Sequence, residues 1–159
     1  MRFLVKPMDF PNAFMYGAGH GGVEAMLLCG VASINNIASA VMINSGTMSA
    51  QLATLDAEKA ADTAAALSAL WTTPSLTFFA GGVERIIAVV LHLSLSVLVF
   101  QSIRKKAPME LVRACLFHFV IDSLSVLLSA VASVWVVELV TALVTGGAVL
   151  MARYACMEE

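Results

Sequence analysis

Four stretches of this chain are apolar over enough residues to cross a lipid bilayer as helices, and they constrain its fold more than any other feature. A spanning helix needs about 20 predominantly apolar residues. Hydrophobic residues make up 60% of the chain and charged residues 13%, whereas a soluble domain is nearer half apolar and a quarter charged. The sequence therefore predicts an all-α, multi-pass transmembrane helical bundle, with spans at residues 12–43, 74–100, 108–130 and 133–152.

One segment between the predicted spans has a different composition. Residues 47–73 are rich in Ala and Ser and carry four charged side chains: Asp56, Glu58, Lys59 and Asp62. This pattern predicts one interfacial amphipathic helix, an extramembrane linker within a single transmembrane domain of residues 1–159. Pro74 and Pro108 fit the first turn of the spans that follow them, where a missing N–H costs nothing.

The basic residues are biased toward one side of the predicted spans, and cytoplasmic loops carry an excess of Lys and Arg. If the turn Arg104-Lys105-Lys106 is cytoplasmic, Lys59 falls on the other side, and four further cations fall on the cytoplasmic side: Arg2, Lys6, Arg113 and Arg153. The chain has no basic run with interleaved aromatic residues, so no nucleic-acid partner is expected.

Each of the three histidines lies in an apolar stretch and has an acidic residue on the same helical stripe. The pairs are His20 with Glu24, His118 with Asp122, both four positions apart, and Glu84 with His92, eight positions apart. A spacing of four puts two side chains on one helix face, one turn apart. Ionisable groups inside a membrane are costly and usually mark an ion path, a proton relay or a catalytic centre.

The predicted topology also gives the depth of these groups. A rise of about 1.5 Å per residue places His20, His92 and His118 roughly 12–14 Å in from the same face. A single histidine in a membrane helix is often only an interhelical hydrogen bond. Three at one depth, with the carboxylates of Glu24 and Asp122 beside them, favour a site of the zinc type, whose ligands are nitrogen and oxygen.

Two further polar groups leave alternatives open. Glu84 lies about 12 Å from His92 along a regular helix, so the two cannot bind one ion unless the helix is distorted. It pairs with Arg85 or orients a group from another helix, and a purely structural ion pair is as consistent with the sequence. Glu138 is isolated on its helix, either as a proton-handling group or as a hydrogen-bonding partner of a neighbour.

Three motifs occur in order along the chain: Gly19-His20-Gly21-Gly22-Val23-Glu24, Glu84-Arg85 with His92, and His118-Phe119-x-x-Asp122. Together they resemble the bacterial YhfC-type family of intramembrane metalloproteases, which is distantly similar to the CAAX prenyl protease and bacteriocin-processing superfamily. The first motif departs from the superfamily pattern, because Glu24 follows a glycine-rich run instead of belonging to a double glutamate. Family members usually have further spanning helices before this motif, so the resemblance implies a fragment or a reduced member.

The resulting hypothesis is a peptidase that hydrolyses a peptide bond in a membrane-associated peptide or protein. Glu24 is the predicted base that activates water, and a divalent metal, expected to be zinc, is held by the histidines with Asp122 as a further ligand or orienting group. The predicted catalytic residues are Glu24, Glu84, Arg85, His92 and His118, and the predicted metal ligands are His20, His92, His118 and Asp122.

The chain is predicted to lie in a bacterial plasma membrane, as a multi-pass protein. Its predicted partners are the lipid bilayer and either further copies of itself, in a homo-oligomer, or a partner subunit. Two alternatives to a peptidase stay open. One is a proton- or metal-ion-coupled transporter, since His–carboxylate chains also relay ions. The other is a non-catalytic membrane subunit.

Overall fold

The computed structural model describes residues 9–157, which are mostly helical, with no strand among them. Arg2 and Lys6, used in the orientation argument, lie outside the described residues. Seven α-helices follow one another, with a π-helical segment, Met26–Gly30, between the first two. The helices are α1 Phe10–Ala25, α2 Val31–Asn44, α3 Thr47–Leu52, α4 Ala57–Thr72, α5 Ser75–Arg104, α6 Pro108–Ser129 and α7 Val134–Met157.

Four segments of the described chain are long and apolar enough to cross a membrane: Phe10–Asn44, Ser75–Arg104, Pro108–Ser129 and Val134–Met157. The predicted all-α membrane bundle with four spanning helices is thereby confirmed. Pro108 occupies the first turn of α6, as its missing N–H favours. Pro74 instead immediately precedes α5, which begins at Ser75.

Residues 47–73 form two short helices, α3 and α4, where the sequence predicted one. Asp56 caps the N-terminus of α4, because its Oδ1 accepts a hydrogen bond from the Lys59 backbone N–H at 2.9 Å. The Lys59 ammonium also donates to Oδ2 of Asp56 at 2.8 Å. These two hydrogen bonds hold the pKa of the Asp56 carboxyl below its usual value. The break before α4 is therefore fixed by a local capping interaction.

The described residues divide into two compact units, of which one comprises residues 26–78 and the other the residues up to 25 and from 79 onward. The second unit contains α1, most of α5, α6 and α7. Its core is built around α5, which contributes Leu91, Leu95 and Leu98. Small or apolar side chains of α6 and α7 belong to the same core: Ala114, Ile121, Ala148 and Ala152. Many apolar side chains on the outer faces are exposed, as expected for helices that face lipid.

Two glycines, Gly17 and Gly21, let α1 approach α5 closely. A Cβ atom added at Gly17 would lie 2.8 Å from the His92 carbonyl oxygen and 2.9 Å from the Leu93 Cα. One added at Gly21 would lie 3.1 Å from both the Val89 Cα and the His92 Cβ. Glycines four apart on a membrane helix permit this kind of backbone contact. The glycine face of α1 is therefore fitted to the backbone of α5 around His92.

We expect Gly17→Ala to destabilise the protein by about 1–3 kcal/mol, because the new methyl group meets backbone atoms that cannot rotate away. Gly19→Ala is the matched control, since nothing lies within 4 Å of a Cβ at that position. Both variants share the helix-propensity gain of alanine over glycine, about 1 kcal/mol. Thermal unfolding in detergent should give a lower Tm for Gly17→Ala than for Gly19→Ala. Equal Tm values would contradict the close approach of α1 and α5.

Candidate metal centre

The structure brings the three histidines together from three helices. His92 of α5 lies in the middle: its ring stacks on the His20 ring of α1 with a centroid distance of 4.7 Å and an interplanar angle of 21°. The His118 ring of α6 meets His92 edge-on, with centroids 5.2 Å apart. The side chain of His92 is only 6% exposed. Three imidazoles from separate helices thus form one continuous group.

Glu24 joins this group one helical turn after His20. Its Oε2 lies 2.9 Å from Nε2 of His92, across 68 residues of sequence. An ionised carboxylate can only accept, so without a metal His92 Nε2–H is the donor. The spacing of four that pairs His20 with Glu24 on α1 therefore directs both side chains toward the same residue of α5.

The second His–acid pair forms within α6. Nδ1 of His118 lies 2.8 Å from Oδ2 of Asp122. The carboxylate accepts, so Nδ1 carries the proton and Nε2 is left as the acceptor nitrogen of the ring. His118 is partly exposed and Asp122 largely exposed. This pair orients the imidazole in the way that the i, i+4 spacing predicted.

Among the described residues, His20, Glu24 and His92 form a group with suitable geometry for a metal. Each offers one ligand atom, and these atoms lie within 4.8 Å of one another. Two imidazoles and one carboxylate form a donor set that catalytic zinc sites use, with a further position left for water. The chemistry of the donors therefore fits a divalent metal of the zinc type. His118 and Asp122 do not belong to this group of three.

A cavity of about 490 Å³ lies beside the three histidines. It is lined by all three histidines and also by Tyr16, Ser96 and Cys115. The sequence argument did not select these last three, although a helical spacing relates each of them to a histidine. Tyr16 precedes His20 by four positions and Ser96 follows His92 by four, so extending each histidine stripe by one turn would have found them.

Glu84 and Arg85 do not belong to the described residues that line this cavity. They form an ion pair with each other. Glu138 is 6% exposed, and its Oε2 has no hydrogen-bond partner within residues 9–157. It lies within electrostatic range of Glu84 and Arg85. Glu84 is separated from His92, as the sequence predicted, because eight residues of helix span about 12 Å. The catalytic role predicted for Glu84 and Arg85 stays a prediction.

Comparison with known proteins places the chain in a family. A family model described as YhfC intramembrane metalloprotease matches residues 1–141, which confirms the resemblance seen in the motifs. The chain is also 37% identical over 119 residues to the uncharacterized membrane protein YhfC of Bacillus subtilis (strain 168). That match covers 74% of this chain and 45% of the relative, so the chain spans about half the relative's length. No solved structure matches the chain.

Proposed function

The chain belongs to the YhfC intramembrane metalloprotease family, and from that membership we propose that it is a metal-dependent peptidase acting on a membrane-associated peptide or protein. One observation carries the proposal: the three histidines line one cavity formed by membrane-spanning helices, and the Glu24 carboxylate lies within 4.8 Å of the ligand atoms of His20 and His92. The proposed location is a bacterial plasma membrane, which the helices cross several times, with the site in the cytoplasmic half. A second copy of the chain or a partner subunit is also proposed to lie beside these helices.

In this proposal His20, Glu24 and His92 hold a divalent metal, with zinc as the preferred ion. The 2.9 Å between Glu24 Oε2 and His92 Nε2 brings two ligand atoms together in advance. When bound, the metal supplies Lewis-acid polarisation of the attacking water or of the scissile carbonyl. Buried His92 is held between the other two imidazoles, which limits how far this ligand moves.

His118 and Asp122 are proposed to handle the proton. Asp122 accepts the Nδ1 proton of His118 and so fixes the tautomer in which Nε2 has a free lone pair. Nε2 then takes a proton from the attacking water and returns it to the nitrogen of the departing amine. The peptide C–N bond breaks, and the product is a carboxylic acid and an amine.

This assignment exchanges two roles from the sequence hypothesis, in which Glu24 was the base and His118 a ligand. The exchange is favoured by the position of the carboxylate: Glu24 lies among the possible ligand atoms, whereas His118 lies outside that group. Both versions keep the three histidines, Glu24 and Asp122 in the site. They differ in which substitution removes metal, and this makes them separable by experiment.

The cavity favours a substrate segment with apolar side chains. Apart from the histidines, it is lined largely by apolar groups such as Leu95, Val99 and Phe119. Its walls belong to membrane-spanning helices, so a peptide that reaches the histidines has to enter from the bilayer or from its surface. We therefore propose a transmembrane or lipid-associated segment as the substrate.

The direct test is metal removal from the purified full chain. We expect about one divalent ion per chain by elemental mass spectrometry, and cleavage of fluorogenic transmembrane peptides in liposomes that stops on chelation and returns with zinc. If the chain bound no metal and cleaved no peptide, the result would favour the alternative of a non-catalytic membrane subunit. Ion flux through the same liposomes without any cleavage product would instead assign the site to transport. Glu138 and Arg85 would then be further polar groups along the ion path.

A further inference from the structure

The wall of the histidine cavity contains two hydroxyl groups that the proposed hydrolysis does not use. They belong to Tyr16 of α1 and Ser96 of α5. Tyr16 is half-buried, and its ring meets the His20 ring edge-on with centroids 6.2 Å apart. Ser96 is buried, at 7% exposure. The structure shows no hydrogen bond of either hydroxyl among residues 9–157, so both groups are available to a ligand in the cavity.

Tyr16 and Ser96 lie at the same level of the contact between α1 and α5. A Cβ atom at Gly17, next to Tyr16, would lie 2.9 Å from the Ser96 Oγ, whereas one at Gly21 would lie 3.1 Å from the Val89 Cα. The two helices therefore run antiparallel. Both hydroxyl-bearing residues are displaced from the histidines in the same direction, by one helical turn of about 5.4 Å.

The carboxylates of the site lie on the other side of the histidines. Glu24 follows His20 by one turn, Asp122 follows His118 by one turn, and neither belongs to the described residues that line the cavity. The hydroxyl side is the one nearer to where α5 ends and α6 begins, around residues 104–108. The cavity therefore leads from the metal centre toward the end of the bundle that is predicted to face the cytoplasm.

A peptide in this cavity needs hydrogen-bonding partners for its backbone. Hydrolysis requires a locally unwound substrate, and an unwound backbone loses the hydrogen bonds that a helix makes internally. Away from water, protein groups have to replace those bonds, and a hydroxyl both donates and accepts. The 6.2 Å between the Tyr16 and His20 rings corresponds to about two residues of extended chain, at about 3.3–3.6 Å each.

We propose that Tyr16 and Ser96 form a subsite that binds the unwound substrate backbone about two residues from the scissile bond. The bound segment extends from that bond toward the cytoplasmic end of the bundle and reaches the metal centre from that side. The two residues are positioning groups, which hold the substrate while the metal centre and His118 carry out the chemistry. This inference rests on the proposed peptidase function.

Kinetics of the full chain in liposomes, with fluorogenic transmembrane peptides as substrates, test the subsite. The double variant Tyr16→Phe/Ser96→Ala should raise KM by about 5–100-fold, the effect of two lost hydrogen bonds. It should leave kcat and zinc content unchanged, because binding shared by the ground and transition states affects KM alone. Tyr154→Phe and Ser94→Ala are the matched controls: they make the same chemical changes outside the described lining of this cavity, and KM should stay the same.

Substrates with one backbone ester distinguish contact with the substrate from a structural role of the hydroxyls. An ester lacks the amide N–H, and its carbonyl is a weaker acceptor. One ester is placed two residues before the cleaved bond in one peptide and two residues after it in another. At one of these positions the ester should raise the KM of the unmodified chain by about 3–10-fold. The same ester should have much less effect in the double variant, since the interacting groups are already gone.

The outcomes separate this subsite from the peptidase itself. An unchanged KM in the double variant, or an equal rise in the two controls, would overturn the subsite and leave the peptidase in place. Loss of zinc, a fall in kcat alone, or esters that act equally on both proteins would overturn it as well. If the unmodified chain cleaved none of the peptides, the subsite and the proposed function would fall together.

Discussion

We expect His118→Asn to lower the proposed rate of peptide hydrolysis by about 10²–10⁴-fold while leaving the bound metal in place. The range is that of a positioned general base, the role proposed for Nε2 of His118. Asparagine keeps an N–H that can donate to Asp122 but has no nitrogen lone pair to accept a proton. Cleavage of the liposome-embedded peptides gives the rate, and elemental mass spectrometry of the same sample gives the metal content.

Cys115→Ser is the control for this variant. Cys115 lies one turn before His118 and lines the same cavity, so serine there should leave both rate and metal nearly unchanged. Loss of metal in His118→Asn would return His118 to the ligand set, as the sequence hypothesis had it. Glu24→Gln decides the reverse case: an inactive protein that keeps its metal would make Glu24 the base.

His92→Ala should have the largest effect on metal binding, with an affinity loss on the order of 100-fold or more. Replacing even a residue that only supports a metal ligand costs 10–100-fold, and His92 is proposed to bind the metal directly. It is also the histidine that contacts Glu24, His20 and His118 together. Elemental analysis after dialysis against zinc buffers of falling concentration gives the affinity.

Ser94→Ala provides the matched control on α5. Ser94 is about as buried as His92 and lies two residues away, but it is not among the residues that line the histidine cavity. Its hydroxyl donates to the Val90 carbonyl oxygen of its own helix, at 2.9 Å. We expect metal affinity in this variant to be unchanged. If His92→Ala kept its zinc, or if Ser94→Ala lost as much, the proposed ligand set would be wrong.

The spans were predictable because each of them depends on local sequence. An apolar run of sufficient length defines a membrane helix whatever its neighbours are, and Pro108 marks the start of α6 directly. The relation of His118 to Asp122 was equally local, since four residues of helix determine it. Depth along the spans was sufficient to expect the three histidines near one level.

Other features depend on packing, which the sequence does not specify. The contact between Glu24 and His92 joins residues 68 apart, and only the rotation of α1 against α5 decides that Glu24 reaches the ligand group. The Gly-x-x-x-Gly spacing of Gly17 and Gly21 permits a close helix contact but does not specify the partner helix. The π-helical segment Met26–Gly30 has no Pro and no other local signal, so the first span was expected to be one regular helix.

The close fit of α1 to α5 also bears on how the protein is made. Chains grow at about 5–20 residues per second, so α1 leaves the ribosome about 3–14 s before the part of α5 that carries His92. During that interval the glycine face of α1 and the carboxylate of Glu24 have no α5 to pack against. Helix α1 must therefore remain without this partner, in the membrane or with the insertion machinery, and the proposed metal centre can assemble only after α5 has been synthesised.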